Sequence, residues 1–467
     1  SMSMRETFVI RLKEACGVSP GQHVLVAVSG GADSTALLCL FDEIREAFPL
    51  QISCAHVEHG IRGVASVEDM RFVEALCAQK NIPFYGSRVD ATAYARAHKC
   101  GLEDAARTLR YDFLMETAKA VGADTIALAH HQGDQAETVL LHAARGSDVR
   151  GLCAMRARRG NIIRPLLTFT PEQLRAYLQS IGQPWREDET NVCQDYARNR
   201  IRHAALPALE AAYPDARAAL ARLASSAQRD EDYFSARLGE LGLNRPLMLV
   251  NGACLPKEEL AGLHPALAGR TLVRLIEAAG VPTQSAQVIV KLLDLLPTCG
   301  AVNLTDSARA EIGTAYVAVL RQEEVAAPTM LNPWGETETP FGTVRVRRAG
   351  ADETGDGMRS QAMDESLLQG AALMPWQSGD TMTPFGANRP VRMKKLLENV
   401  EHALRRSVPV LKRGDTVLWM PGVRPAEICR GAGGARVLVE FVNQFGGDFR
   451  STAAQQQSEN QGEQKHE

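Results

Sequence analysis

The sequence lacks any run of about twenty apolar residues, the length a membrane-spanning helix needs, so no membrane partner is expected. None of its 10 cysteines stands in a C-x-x-C pair. Zinc sites and dithiol redox motifs are therefore not written locally, and free thiols in a reducing compartment are expected. The opening Ser1-Met2-Ser3-Met4 has no basic stretch leading into an apolar core. A secretory signal is thus not read, and a cytoplasmic location is expected. Overall positive charge is also missing, the net charge being −3. That sum does not point to nucleic acid, but local charge decides the question better than the total. No internal repeat is visible.

What is present is an ordinary globular composition, 45% hydrophobic and 23% charged, over 467 residues. At about 100–200 residues per domain this predicts two to four domains. Between residues 21 and 144 short β-branched runs alternate with amphipathic helical stretches. Strands are expected at 23–28, 51–57, 83–89 and 125–129, with helices at 34–40, 67–79, 103–121 and 135–144. Such alternation predicts an α/β fold, a doubly wound parallel sheet with helices on both faces. Ligands in these sheets sit at the carboxyl ends of strands, where residues 29–34 and 130–137 fall. An Ala/Leu/Arg-rich second region predicts a helical domain over 206–325, and alternating stretches predict a small α+β domain over 330–450. The Gln/Ser/Glu-rich tail over 452–467 has nothing apolar to anchor it and is expected to be disordered.

The stretch Ser29-Gly30-Gly31-Ala32-Asp33-Ser34 joins a strand to a helix. Glycines there allow positive φ and close backbone approach to a ligand. Successive N–H groups at the start of the helix can then point at phosphate oxygens, and the Ser29 and Ser34 hydroxyls add donors. Asp33 beside a polyanion is unfavourable unless a cation lies between them, which argues for Mg²⁺. The loop has no Gly-Lys-Ser/Thr and is no G-x-G-x-x-G fingerprint, so the two common nucleotide motifs are excluded here.

Further along, Asp134 and Glu137 stand at i, i+3 on a helix start and share a face. They could hold Mg²⁺ or a substrate ammonium, or simply favour the helix dipole. Arg107 and Arg110 (i, i+3) and Arg198 and Arg202 (i, i+4) could bind phosphate or carboxylate, or form solvated basic faces. His130-His131 has no third ligand at metal spacing, so a strand-end turn is expected. From residue 389 to 436 basic residues outnumber acids, among them Lys394, Lys395, Arg405, Arg406 and Arg424, a local excess suited to a phosphate backbone.

S-G-G-x-D-S is the signature of the PP-loop ATP-pyrophosphatases, and the later segments resemble the tRNA(Ile)-lysidine synthetases among them. In order these are His56-Val57-Glu58-His59-Gly60-Ile61-Arg62, Glu103 to Tyr111, His130-His131 to Thr138 with Arg145-Gly146, and Arg164-Pro165-Leu166-Leu167. Trp185 to Asn191 and Tyr196 to Arg202 complete the series, Glu58 standing where the family usually has Asp. Met393 to Leu397 and Val417 to Arg424 resemble the C-terminal domain of the long bacterial members, although that family's I-P-x-x-x-R is reduced to EHALR over 401–405.

The resemblance implies a PP-loop catalytic domain over 1–205, with 206–325 and 330–450 as tRNA-binding parts. It implies that ATP adenylates C2 of the wobble cytidine in the CAU anticodon of isoleucine tRNA. Free L-lysine then displaces AMP to form lysidine. Residues 29–34 would bind ATP, Asp33 and Asp134 would contact Mg²⁺, and Asp33, Asp134 and Glu137 would be catalytic. Asp134 with Glu137 would orient the lysine ammonium and Arg107 or Arg110 its carboxylate, with Arg198 and Arg202 as further candidates. Lys394, Lys395, Arg405, Arg406 and Arg424 would meet the tRNA. Monomer and homodimer are both left open. A tRNA thiolase and a non-catalytic RNA-binding module are the rival readings.

Overall fold

The computed structural model describes residues 1–60, 63–187, 196–322, 325–431 and 434–450. Ile61, Arg62, Asp188, Asn191 and the 452–467 tail lie outside the described residues. The chain divides into two compact units, residues 1–232 and 233–467.

In the first unit, α1 (Met4–Ile10) runs into a π-helical turn at Arg11–Ala15. Then come β1 (His23–Ala27), α2 (Ala32–Ile44), β2 (Gln51–Glu58), α3 (Val64–Gln79) and β3 (Phe84–Arg88). These are followed by α4 (Ala91–His98), α5 (Leu102–Val121), β4 (Thr125–Ala127) and α6 (Gln132–Ala144). The strand pair β5 (Arg158–Arg159) and β6 (Ile162–Ile163) precedes α7 (Pro171–Ser180), α8 (Tyr196–Arg200), α9 (Leu206–Ala212) and α10 (Ala216–Glu240). The sheet order is β3-β2-β1-β4-β6-β5, parallel except for the β5–β6 pair. The doubly wound parallel sheet read from the sequence is therefore present.

Every residue of β1 is buried, as a central parallel strand covered on both faces requires. Alternation decides which face each side chain meets. Val24 and Val26 join Phe8, Leu37 and Phe41 in one core, whereas Leu25 and Ala27 join Leu114 and Ala118 of α5 in another. Strand order reverses at β1, which has β2 on one side and β4 on the other. The loops after β1 and β4 thus flank the crevice where such sheets bind ligands.

The second unit departs from the helical domain expected over 206–325. A five-stranded antiparallel sheet occupies it, built from β7 (Leu247–Leu249), β8 (Gly252–Pro256), β9 (Gly300–Thr305), β10 (Ala308–Ile312) and β11 (Tyr316–Arg321). Only α11 (Lys257–Ala261), α12 (Pro265–Ala278) and α13 (Ala286–Leu295) are helical between β8 and β9. Short apolar runs such as β11 are not distinguished from helix by periodicity alone. The sheet also joins what the sequence separated. Ala253, Leu255, Val317 and Val319 pack with α12 and α13, while Cys254, Ala318 and Leu320 enter the core of the C-terminal strands around Trp419. Those strands form a second five-stranded sheet, which includes Pro409–Arg413 and Thr416–Met420, and a four-stranded sheet centred on Gly342–Arg348 and Arg436–Val442. The sheet contributes to both cores, and residues 233–467 cluster as one compact unit.

Among the described residues, no helix is long and apolar enough to cross a membrane. The described cysteines form no disulfide with one another.

Candidate active site

The turn after β1 is shaped by Gly30, whose φ of 101° only glycine adopts without strain. Its carbonyl accepts from Thr35 Oγ1 at 3.2 Å and from the Arg186 N–H at 3.0 Å. Gly31 caps α2 with no side chain over the helix end, so the first-turn N–H groups face outward. The Ser29 N–H donates to Ser34 Oγ at 3.0 Å, and the two hydroxyls lie 3.0 Å apart. A ring of donors at a helix N-terminus is what a phosphate binds.

The turn after β4 supplies the acids. His131 caps α6: its Nδ1 accepts from the N–H of Gly133 at 3.0 Å and of Asp134 at 3.3 Å. In return Asp134 Oδ2 accepts from the His131 N–H at 2.9 Å. The other ring nitrogen, Nε2, lies 3.3 Å from Asp33 Oδ2. The His131 ring therefore bridges the phosphate loop to the acidic helix start. Burial lowers its pKa, but the hydrogen bond to Asp33 and the charges of Asp134, Asp33 and Glu137 more than reverse this. Two N–H groups aimed at Nδ1 need a lone pair there, so the geometry shown is that of the Nε2–H tautomer, whose N–H donates to Asp33 Oδ2.

Glu137 is 4% exposed, and its carboxylate accepts from Arg202 Nε at 2.8 Å and Nη2 at 3.0 Å. Arg202 Nη2 also lies 3.5 Å from Asp134 Oδ1, and Arg198 Nη1 lies 3.7 Å from Glu137 Oε2. Arg198 further donates to Thr138 Oγ1 at 3.1 Å. The two arginines thus pair with the acids rather than standing free. A fork-to-carboxylate pair of this kind fixes geometry as well as charge.

Arg110 and three histidines form a further group. Arg110 makes no ion pair among the described residues, and burial lowers its pKa, with Tyr111 and Arg107 as neighbours. It acts in turn on His56, His59 and His130, all with pKa values lowered first by burial. The buried Nε2 of His56 and Nδ1 of His59 have no hydrogen-bond partner among the described residues. Arg107 is exposed and lies over the Tyr111 ring at 5.7 Å. Glu58 pairs with Arg88 at 2.8 Å.

His130 accepts from Arg164 Nε at 3.2 Å. Burial, then the charges of Arg164, Arg110, Arg198 and His131, push its pKa down to about 3 from 6.5. Between those values the unfolded ring binds a proton that the folded ring refuses. Its contribution to stability is therefore complete above 6.5 and is lost as pH falls towards 3. The melting temperature is expected to fall more steeply on acidification from pH 6.5 in the wild type than in His130→Asn. Equal slopes in the two proteins would contradict the assignment.

Two residues in this site have contacts that the sequence does not show. Arg186 ties the loop to α3 through Gly30 and through Asp69 Oδ1 at 2.5 Å, yet it fills a variable position of its motif. For His131 the sequence suggests a strand-end turn, and only the fold places its ring against Asp33.

In the second unit, Lys394, Arg405 and Arg406 line a cleft of about 520 Å³ together with Arg309 and Arg321. Lys395 and Arg424 are exposed outside that lining. Glu401, where the sequence lacks the expected proline, accepts from the N–H groups of Ala315 and of Tyr316, the latter at 3.0 Å. A Cβ on Gly313 would lie 2.6 Å from Glu401 Oε2, so glycine makes room for this tie. The turn at 401–405 is held by a side chain instead of a proline ring.

A PP-loop domain model matches residues 4–209. The tRNA(Ile)-lysidine synthase of Geobacter sulfurreducens is 34% identical over 438 residues, covering 90% of this chain and 92% of that protein. The tRNA(Ile)-lysidine synthase of Caldanaerobacter subterraneus subsp. tengcongensis is 28% identical over 428 residues, covering 88% and 91%. That of Thermotoga maritima is 42% identical over 205 residues, covering 44% of this chain and 49% of its own. On that identity and coverage, and with the signature loop and the acidic helix start meeting at one crevice, the chain belongs to the tRNA(Ile)-lysidine synthase family.

Proposed function

We propose that the protein ligates free L-lysine to C2 of the wobble cytidine in the CAU anticodon of isoleucine tRNA, forming lysidine. ATP first adenylates the C2 oxygen with loss of pyrophosphate, and the lysine amine then displaces AMP. The observation that carries this reading is the convergence of Asp33 with Asp134 and Glu137 beside the phosphate loop, linked through His131.

A carbonyl oxygen is a poor leaving group, and adenylation turns it into a good one. The loop N–H groups and the Ser29 and Ser34 hydroxyls hold the departing phosphates. Among the described residues no group of three or more His, Cys, Asp and Glu is set to hold a metal. Mg²⁺ at nucleotide sites needs only one or two carboxylates, the rest of its shell being phosphate and water, so Asp33 and Asp134 fit it. When bound, Mg²⁺ neutralises charge that develops on pyrophosphate.

Asp134 and Glu137 place negative charge for the lysine ammonium. Arg202 claims both Glu137 oxygens, so Asp134 is the stronger contact of the two. Arg110, without a carboxylate partner, receives the lysine carboxylate or a phosphate, with Arg107 at the rim. Lys394, Arg405 and Arg406 carry a tRNA-binding surface in the second unit, with Lys395 and Arg424 outside the cleft. Pyrophosphate release with ATP and tRNA, measured with and without lysine, tests the scheme. Turnover is expected to require tRNA and to rise with lysine. Release indifferent to lysine would favour a thiolase, and no release would favour a non-catalytic binder.

A further inference from the structure

A second cationic feature lies in the first unit, on a different face of α6 from Asp134 and Glu137. Gln132 and Gln135 of α6 line a cavity of about 370 Å³ together with the π-helical turn, the residues before β5, and α10. Its charged lining is Arg11, Arg156, Arg158 and Arg222, and no Asp or Glu is among the described residues that line it. Among the described residues Arg158 donates to neutral carbonyls, those of Cys16 at 2.9 Å, Gly17 at 3.3 Å and Gly160 at 3.0 Å. Arg156 Nη1 reaches Asp232 at 2.9 Å.

Arg11 is the unusual member. Its Nε is buried and has no hydrogen-bond partner among the described residues. Burial lowers its pKa, opposed only by Cys16, whose thiol burial itself pushes up to about 11 and so keeps neutral. A half-buried guanidinium with an unpartnered buried Nε and no counter-charge among the described residues carries a cost that an anionic ligand removes. The surroundings make room for one. Ala218, Ala221, Arg222, Ser225 and Gln228 lie along one face of α10, mostly short side chains under a single exposed arginine. Arg11 and Ala15 bracket the π-helical turn, a local widening that recurs at functional sites.

Four guanidinium forks lining one cavity, with only Arg156 paired to a carboxylate among the described residues, match the several oxygens of a phosphate better than the two of a carboxylate. We propose that this four-arginine cavity is a phosphate site that receives a backbone phosphodiester of the RNA substrate. The inference rests on the reading that the substrate is a tRNA.

The test is equilibrium binding of isoleucine tRNA to the full chain over a salt series, for wild type, Arg222→Ala and Arg11→Met. Each variant is expected to weaken binding about 5–10-fold at low salt and to flatten the slope of log K against log salt by roughly 1. The double variant is expected to flatten it no further, since both arginines serve one phosphate. Arg222 is exposed, so its variant keeps the proposal testable if Arg11→Met fails to fold. Unchanged affinity and slope in Arg222→Ala and in folded Arg11→Met would overturn the proposal. Orthophosphate serves as a second probe at constant ionic strength. Competition with tRNA in the wild type but not in Arg222→Ala supports the site. Orthophosphate binding lost in Arg222→Ala with tRNA affinity intact would overturn the RNA assignment. Lysidine formation by the wild type is read in the same samples. Its absence there counts against the proposed function, whereas unchanged slopes beside normal lysidine formation count against this inference alone.

Discussion

Asp33→Ala is expected to lower the rate of pyrophosphate release by about 10³-fold while leaving the protein folded. The side chain stands at the first turn of α2, is 39% exposed, and has His131 Nε2 at 3.3 Å as its partner. Its removal takes away the charge proposed to hold Mg²⁺ beside the phosphates and frees one face of His131. Little apolar packing is lost, so the stability change should stay within about 1 kcal/mol. Single-turnover release with ATP and tRNA, alongside a thermal melt, checks both halves. Full adenylation activity in Asp33→Ala would remove Asp33 from the chemistry. A comparable rate loss with a collapsed melt would make its role structural.

Arg202→Met is the second large effect. It leaves Glu137 buried without its two-pronged partner. Breaking a buried pair costs about 3–5 kcal/mol, but Arg202 is 35% exposed and Arg198 stays near, so about 2–3 kcal/mol is expected. Glu137→Gln should cost less, because the arginine it abandons can turn to water while an amide oxygen still accepts one N–H. Adding Glu137→Gln to Arg202→Met should therefore restore part of the lost stability, which is coupling. Urea midpoints at unchanged slope read this out. Additive costs would show that the pair does not act as a unit. Both single variants are expected to lose turnover, since the pair sets where Asp134 and Glu137 point.

Much of this site is legible in the amino-acid sequence. The β1 run into Ser29-Gly30-Gly31 announces a strand, a positive-φ turn and a helix start, since each residue's local preference agrees with its place. Asp134 and Glu137 share a face simply through helical spacing. What stays hidden is contact across the fold. Nothing local says that His131 meets Asp33 from nearly a hundred residues away, or that Arg202 pairs with Glu137. The sheet of β7 to β11 is hidden for another reason. β9 alternates only weakly, its residues being half-buried or exposed, and the helices before it dominate the composition. The four-arginine cavity draws on residues from 11 to 228, and no window of sequence gathers them.

The central claim is that the phosphate loop and the acids of α6 serve one reaction, whose product is lysidine. Nucleoside mass spectrometry of isoleucine tRNA with a CAU anticodon, after incubation with the protein, ATP and lysine, tests it most directly. The account predicts a wobble cytidine heavier by one lysine less water, dependent on both ATP and lysine and absent with Asp33→Ala. An unmodified cytidine, from protein shown to be folded and to bind ATP, would contradict it.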